Sequence, residues 1–320
     1  MKLSIIYVNW NSVDYLRESI ASVYQFTKKI EFEVIVVDNA SPERGVETLK
    51  VAFPEIKIIQ SEENLGFAGA NNLGFRQSSG EYVLFLNPDT TLIEPSIEML
   101  VDRMEQLPDA GIVGCKLLNS DHTVQLSSIQ RYPTILNQAI DAEYLRLRWP
   151  GCPLWNIAPL FSDNVKVMKV DVIPGACMLL RRSVFEKAGL FTEDYFMYAE
   201  DLDLNYKVKA AGFTNYYVGE TAIIHHGGRS SSRQKVSQWA TLMKYRAMTK
   251  LFRRTRGSAY AVGYRVAMGG VAVGRLVILT LLSPLERVEA DRESRSFSVE
   301  KWKTVFKWAV GWQSAAVSST

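Results

Sequence analysis

The chain is poor in the residues that staple or metallate a small protein. Its three cysteines, Cys115, Cys152 and Cys177, are too few and too scattered across 320 residues for a disulfide framework or a metal cluster. Three common loop signatures are also missing. After the first apolar run the chain reads Asn9-Trp10-Asn11-Ser12, with no glycine to let a pyrophosphate approach a helix N-terminus. That argues against a nicotinamide dehydrogenase. Neither a Walker pattern nor a serine nucleophile elbow is present. There is no internal repeat, and 47% hydrophobic with 22% charged residues excludes disordered and collagen-like chains. Met1–Trp10 holds one lysine, a short apolar stretch broken by Ser4 and no small-residue cleavage site. It does not read as a signal peptide, so a cytoplasmic placement is expected.

Charge is unevenly spread. The net charge of +3 gives no reason to expect a nucleic-acid partner. Between Arg229 and Arg275, however, stand eleven basic residues and no acidic one, so the rest of the chain is acidic. Two regions with two tasks are implied: residues 1–228, and a basic helical extension over 229–320. Within the extension, Arg265 and Arg275 interrupt the apolar stretch Ser258–Pro284. The charge-free runs Val266–Gly274 and Leu276–Leu285 are each about half of the roughly 20 residues that a span requires. The expectation is a peripheral protein lying on an anionic membrane surface, the inner face of the cell membrane, without crossing it. Gly270 and Gly274 have the spacing of a helix–helix contact, which leaves a homo-oligomer possible.

The first 120 residues alternate strand and helix patterns. Leu3–Val8, Phe32–Val37, Ile56–Gln60, Glu81–Leu86 and Gly111–Leu118 read as buried strands. Between them come a helix capped by Ser12, one opened by Ser41-Pro42-Glu43, one over Phe67–Ser79 and one over Pro95–Leu107. This spacing predicts an α/β fold with a mostly parallel sheet and helices on both faces. Residues 120–170 lack periodicity and read as a long, irregular excursion, functional or mobile. Val170–Arg181, broken at Pro174-Gly175, and Phe213–Val218 read as further strands, with a helix over Glu200–Ala211 between them.

Ligands of such sheets sit outside the carboxyl ends of the strands, so the polar residues there are the first candidates: Asn9, Asp38, Asn39, Asn87 and Asp89. Asn87-Pro88-Asp89 either turns the chain or presents a carboxylate to a divalent cation on a diphosphate. Glu200-Asp201-Leu202-Asp203 follows Tyr195-Phe196-Met197-Tyr198. Its acids either answer the helix dipole or, walled by large side chains, include a general base of raised pKa. His225-His226 is either a solvated turn or a metal ligand, with Arg229 facing phosphate. Asn64–Gly74, small and rich in amides, either packs closely or meets an anionic or sugar ligand at a helix start.

The order of these segments is more specific than any one of them. Val-Asn-Trp-Asn, Val-Val-Asp-Asn-Ala-Ser, Glu-Asn-Leu-Gly-Phe-Ala-Gly-Ala-Asn-Asn-Leu-Gly, Phe-Leu-Asn-Pro-Asp-Thr, Tyr-Ala-Glu-Asp-Leu-Asp-Leu and His-His-Gly-Gly-Arg-Ser-Ser follow one another over about residues 2–232. This series resembles family 2 glycosyltransferases, in their bacterial rhamnosyltransferase-type branch. The resemblance implies a GT-A fold and inverting transfer from a nucleotide-diphosphate sugar. The donor would carry dTDP or UDP, with dTDP-L-rhamnose favoured and galactofuranosyl or other hexosyl donors the alternative. A glycan or lipid-linked acceptor in cell-surface polysaccharide synthesis is implied too. A catalytically silent nucleotide-sugar-binding protein is the non-enzymatic alternative. By resemblance, Asp38 and Asn9 hold the nucleoside, and Asn64, Asn72, Asn87 and Arg229 line the rest of the donor. Asp89 with His225 or His226 binds Mg2+ or Mn2+. Asp201 is the general base, with Glu200 as its neighbour.

Overall fold

The computed structural model describes residues 1–125, 128, 130–140, 148–149, 152, 154, 166–227, 238–282 and 289–312. They fall into two compact units, residues 1–132 with 144–230, and residues 133–143 with 231–320. The second unit thus takes a piece from the stretch that the sequence pattern reads as a long loop.

In the first unit, β1 (Leu3–Asn9), β2 (Phe32–Asp38), β3 (Lys57–Gln60) and β4 (Tyr82–Leu86) pair in parallel in the order β3-β2-β1-β4. The helices α1 (Val13–Phe26), α2 (Leu49–Ala52) and α3 (Gly66–Arg76) lie between them in sequence. Next come β5 (Thr90–Leu92), α4 (Ser96–Gln106) and β6 (Ala110–Leu118), then α5 (Ile135–Ala139), which belongs to the second unit. The first unit resumes with β7 (Val167–Val170), β8 (Cys177–Arg181), α6 (Arg182–Lys187), α7 (Glu200–Ala210) and β9 (Thr214–His225).

The alternating direction of strand side chains divides the core between two faces. Leu3, Ile5, Tyr7, Val34, Val36, Leu84 and Leu179 pack on one side with Leu16 and Ile20 of α1 and Leu100 of α4. Ile6, Ile35, Val83, Phe85, Met178 and Leu180 pack on the other with Phe75, Phe185 and Leu204. These runs are unbroken apolar strings because both faces are covered.

The sheet is mixed where the alternating pattern predicts a mostly parallel one. β8 runs antiparallel between β4 and β6, pairing Leu86 with Cys177 at one end. β9 does not stop at Val218 but continues to His225. A bulge opposite Cys115 and Lys116 absorbs the polar Gly219–Thr221 step that makes the strand look finished in sequence. The far edge of β9 is shared by β7 and β5, both antiparallel to it. Two expected helix starts are also different. Ser12 makes no side-chain cap for α1; instead Asn9 Oδ1 accepts from the Ser12 amide and hydroxyl at 3.2 and 3.0 Å. Ser41 opens no helix because its hydroxyl donates to Asp38 Oδ1 at 2.6 Å, and the chain turns through Val46–Thr48 into α2.

In the second unit, α8 (Gln238–Arg256), α9 (Ser258–Leu282) and α10 (Glu289–Ala309) pack on one another, with α5 against α9. Tyr264 sits between Phe252 and Trp308, with ring centroids 4.9 and 5.9 Å away.

Candidate active site

Four parallel strands ending at one edge bring Asn9, Asp38 and Asn87 there by register alone, and Asn9 pairs directly with Asp38. Asp38 Oδ1 accepts from Asn9 Nδ2 at 2.7 Å and from the Ser41 hydroxyl. Its Oδ2 accepts nothing from the described residues, which leaves one acceptor free for a ligand's N–H. Asn9 is fully buried and uses both ends of its amide on Asp38, Ser41 and Ser12. It therefore braces Asp38.

The amides of the Asn64–Gly74 segment are similarly engaged. Asn64 Oδ1 accepts from Asn39 Nδ2 and the Gly66 amide, at 2.9 and 3.0 Å. Asn72, buried, donates to Phe191 O and Glu193 Oε1 and accepts from the Phe191 amide. Asn72 thus anchors the loop at Phe191 and Glu193, and Asn64 Oδ1 anchors the turn into α3. Gly66 has a specific need for its lack of a side chain. Its φ is +69°, and a Cβ would lie 2.2 Å from Phe196 O. The aromatic segment before α7 packs on that bare backbone, and the Phe67 amide donates to Phe196 O at 3.2 Å.

That segment ends in two consecutive left-handed residues, Tyr198 at φ 70° and Ala199 at φ 65°. Such conformations cost roughly 1–3 kcal/mol each and persist only where surrounding structure holds them. Here they aim the start of α7. Asp201 Oδ2 accepts from the Gly175 amide at 3.1 Å and Oδ1 from the Leu202 amide at 2.8 Å. Glu200 is buried, and its Oε2 has no hydrogen-bond partner among the described residues. Burial, with the Asp201 charge adding to it, pushes the Glu200 carboxyl up to about 8. Burial raises Asp201 as well, against the two backbone amides that favour its ionised form. Near neutral pH the proton of this pair resides on Glu200, which lacks donors, and the charge on Asp201, which has two. Asp203, the third acid, is a tie: it accepts from the Thr192 and Tyr195 hydroxyls at 2.6 and 3.3 Å.

Asp89 is brought to His225 by β5, because Thr90 pairs with His225. Asp89 is 5% exposed, and its carboxylate accepts no hydrogen bond from the described residues. Among the described residues its carboxylate is paired with His225 Nε2, at 3.4 Å from Oδ1. Gln125 clamps His225 from the other side, its Nε2 donating to the His225 carbonyl while Oε1 lies 3.0 Å from Nδ1. Since Oε1 can only accept, Nδ1 carries a proton, and Nε2 is the ring nitrogen turned toward Asp89. Asp89 Oδ1 and His225 Nε2 make a two-residue donor set, which a divalent metal would have to complete with ligand oxygens. His226 is different. Its ring nitrogens meet the hydroxyls of Thr91 at 3.2 Å and Ser120 at 2.8 Å, and its amide donates to Asp89 O. Asn87 Nδ2 lies 3.4 Å from His225 Nε2. Arg229 lies outside the described residues.

The two carboxylate centres are joined through Gly175-Ala176. Gly175 donates to Asp201, and Ala176 O accepts from the Asn87 amide at 3.0 Å. Asn205, fully buried, holds Ile173, two residues before Gly175, by both its amide and its carbonyl. Sequence reasoning missed Gln125, Gly175 and Asn205 as parts of the site. Pro174-Gly175 was the available signal, read only as a strand break; the other two carry no local signature.

The mixed α/β sheet, with Asp38 ending β2 and Asp89 following β4, has the GT-A glycosyltransferase fold, as the solved structures below show. Residues 4–189 match the model of glycosyl transferase family 2. The chain belongs to that family, in its rhamnosyltransferase-like branch. It is 29% identical over 251 residues to an N-acetylglucosaminyl-diphospho-decaprenol L-rhamnosyltransferase of Mycobacterium tuberculosis, covering 74% of this chain and 80% of the relative. To rhamnosyltransferase WbbL of Escherichia coli it is 27% identical over 194 residues, 58% of this chain and 70% of the relative. Among solved structures, the mannosyltransferase PcManGT of Pyrobaculum calidifontis, in complex with GDP-Man and Mn2+, matches with a TM-score of 0.58. That match has 15% identity and covers 97% of this chain and 86% of the other, which shows a shared fold.

Two outcomes test this geometry. Gly66→Ala forces a side chain onto Phe196 O, so thermal unfolding should show a loss of at least about 2 kcal/mol, the scale of a strained and overpacked site. A change below that scale would mean that the contact is easily relaxed. Glu200→Gln tests the buried carboxyl. A group whose folded pKa is raised from 4.5 to about 8 stabilises the fold fully below the lower value and loses that contribution as pH rises through the upper one. The melting temperature of the variant relative to the parent should therefore climb between these pH values. A constant difference would remove the buried, protonated Glu200.

Proposed function

We propose that the chain is an inverting transferase that moves L-rhamnose from dTDP-L-rhamnose to a glycan or lipid-linked acceptor in cell-surface polysaccharide synthesis. It acts on the cytoplasmic side, peripheral to the membrane. The carrying observation is the Gly175-Ala176 bridge, which ties a partly exposed, doubly amide-stabilised carboxylate to the turn that holds Asp89. The rhamnosyl reading is supported by the relatives' names, and the donor class by the family.

In this reading the free Oδ2 of Asp38 accepts an N–H from the donor's pyrimidine, while Asn9 and Ser41 hold the carboxylate in place. Asp201 takes the proton from an acceptor hydroxyl. The oxygen then attacks the anomeric carbon on the face opposite the departing nucleotide diphosphate, which inverts that centre. Glu200, protonated, keeps a second charge out of the pocket and leaves Asp201 as the base. The aromatic approach to α7 restricts water around it. Asp89 and His225 hold a divalent cation, and the imidazole makes the set better suited to Mn2+ than to Mg2+. When bound, such a cation neutralises charge developing on the leaving diphosphate.

A panel of nucleotide sugars, read by release of the nucleotide diphosphate, tests the donor. Turnover of dTDP-L-rhamnose supports the proposal; turnover of a galactofuranosyl or other hexosyl donor alone replaces the sugar, and no turnover supports a silent binding protein. Asp201→Asn should lower kcat by at least about a hundredfold, the lower end of what a positioned base supplies, with nucleotide binding retained. If Glu200→Gln is the more damaging of the two, the base is Glu200. Chelation and Asp89→Ala should each abolish most turnover. Gln125→Leu, which frees the His225 ring, should weaken Mn2+ binding measured by electron paramagnetic resonance by about 10–100-fold, the usual cost of losing a ligand's orienting partner. An unchanged rate under chelation would remove the metal from the mechanism.

A further inference from the structure

We infer that the outward face of α9 is the surface by which the helical unit lies in the plane of an anionic lipid bilayer; this rests on the membrane-peripheral reading above and specifies its contact. Helix α9 has two unlike faces. Ala261, Tyr264, Met268 and Ala272, spaced by three and four residues, are buried. The other side exposes Val262, Val266, Val273, Val277 and Leu281, with Val266 and Leu281 more than 70% exposed. This stripe runs from the start of the helix to its end. The two arginines that interrupt the apolar sequence do not interrupt the stripe. Arg265 donates to the carbonyls of Trp308 and Ala309 at 2.9 and 3.2 Å, and Arg275 lies over the Trp302 ring. Both are turned to α10.

The same contacts decide between lying on a bilayer and crossing it. By length and composition α9 is able to cross a membrane. Its inner face, however, is bound to α8 and α10. Those helices carry exposed Lys244, Arg253, Arg256, Glu300, Lys303 and Lys307. A crossing α9 would have to pull these charges into hydrocarbon or give up its packing. Lying in the interface buries only the stripe and leaves the charges in water. Charge complementarity names the occupant. Arg253 and Arg256 stand in the last turn of α8, one glycine before α9 begins, and no acidic residue occurs between Glu220 and Glu286. A basic margin beside an apolar stripe fits anionic headgroups over acyl chains. Gly270 and Gly274 also face outward, with nothing within 4 Å of a Cβ built on either, whereas Gly269 packs on Ala309.

Flotation of the full chain with phosphatidylcholine vesicles, alone or mixed with phosphatidylglycerol, tests the inference. Binding should require the anionic lipid and be released by alkaline carbonate. The double variant Val266→Asp/Val277→Asp should bind at least about tenfold more weakly, since binding strength scales with buried apolar area. Its release of nucleotide diphosphate from soluble donor should be unchanged, which reports on folding and on the transferase reading separately. Carbonate-resistant binding would overturn the in-plane placement. Equal binding of the variant would overturn the role of the stripe. A dimer of the parent that the variant converts to monomer, with vesicle binding intact, would assign the face to a second copy of the chain.

Discussion

The antiparallel placement of β8 between β4 and β6 is the constraint on which the site depends. An antiparallel strand begins where its parallel neighbours end. Its entry segment, Gly175-Ala176, is therefore delivered to the edge where β4 terminates at Asn87. One amide of that segment then meets Asp201 and one carbonyl meets Asn87. Had β8 joined in parallel, the segment would enter at the opposite end of the sheet, and α7 would have no backbone donor for its carboxylate.

Around that edge, polar side chains divide by whether their hydrogen-bonding capacity is used up. Asn9, Asn72, Asp203 and Asn205 make local or long-range bonds that fix loops against one another. Asp38, Asp89 and Glu200 each retain an oxygen without a donor among the described residues. A buried acceptor left unmatched carries a free-energy penalty, and folds keep few of them. At this edge such an oxygen is left able to meet a ligand or hold a proton. The left-handed Tyr198 and Ala199 belong to the same pattern, since strained backbone is retained where it aims a functional group.

The helical unit follows a different physical rule. Its interior is aromatic, with Tyr264 in contact with both Phe252 and Trp308, and its arginines bind carbonyls and ring faces within the unit. Counting charges along α9 therefore misjudges its surface. A charge that points inward does nothing to make the outer face polar.

Strand and helix identities, the acids at the strand ends and the order of the motif segments are legible in the sequence, because they depend on apolar periodicity and on turn residues close in the chain. Asp38, Asp89 and Asp201 could be named that way. Pairing depends on residues far apart, and there the sequence is silent. It does not show that β8 reverses, that β5 exists as a three-residue strand aligning Asp89 with His225, or that Gln125 closes on that histidine from a hundred positions away. Nor does composition tell a free amide from a spent one: that Asn9 bonds Asp38 and Asn72 bonds Phe191 is seen only in the fold. The residue types are set locally, but what each polar atom has left to offer is decided by the tertiary neighbours that compete for it.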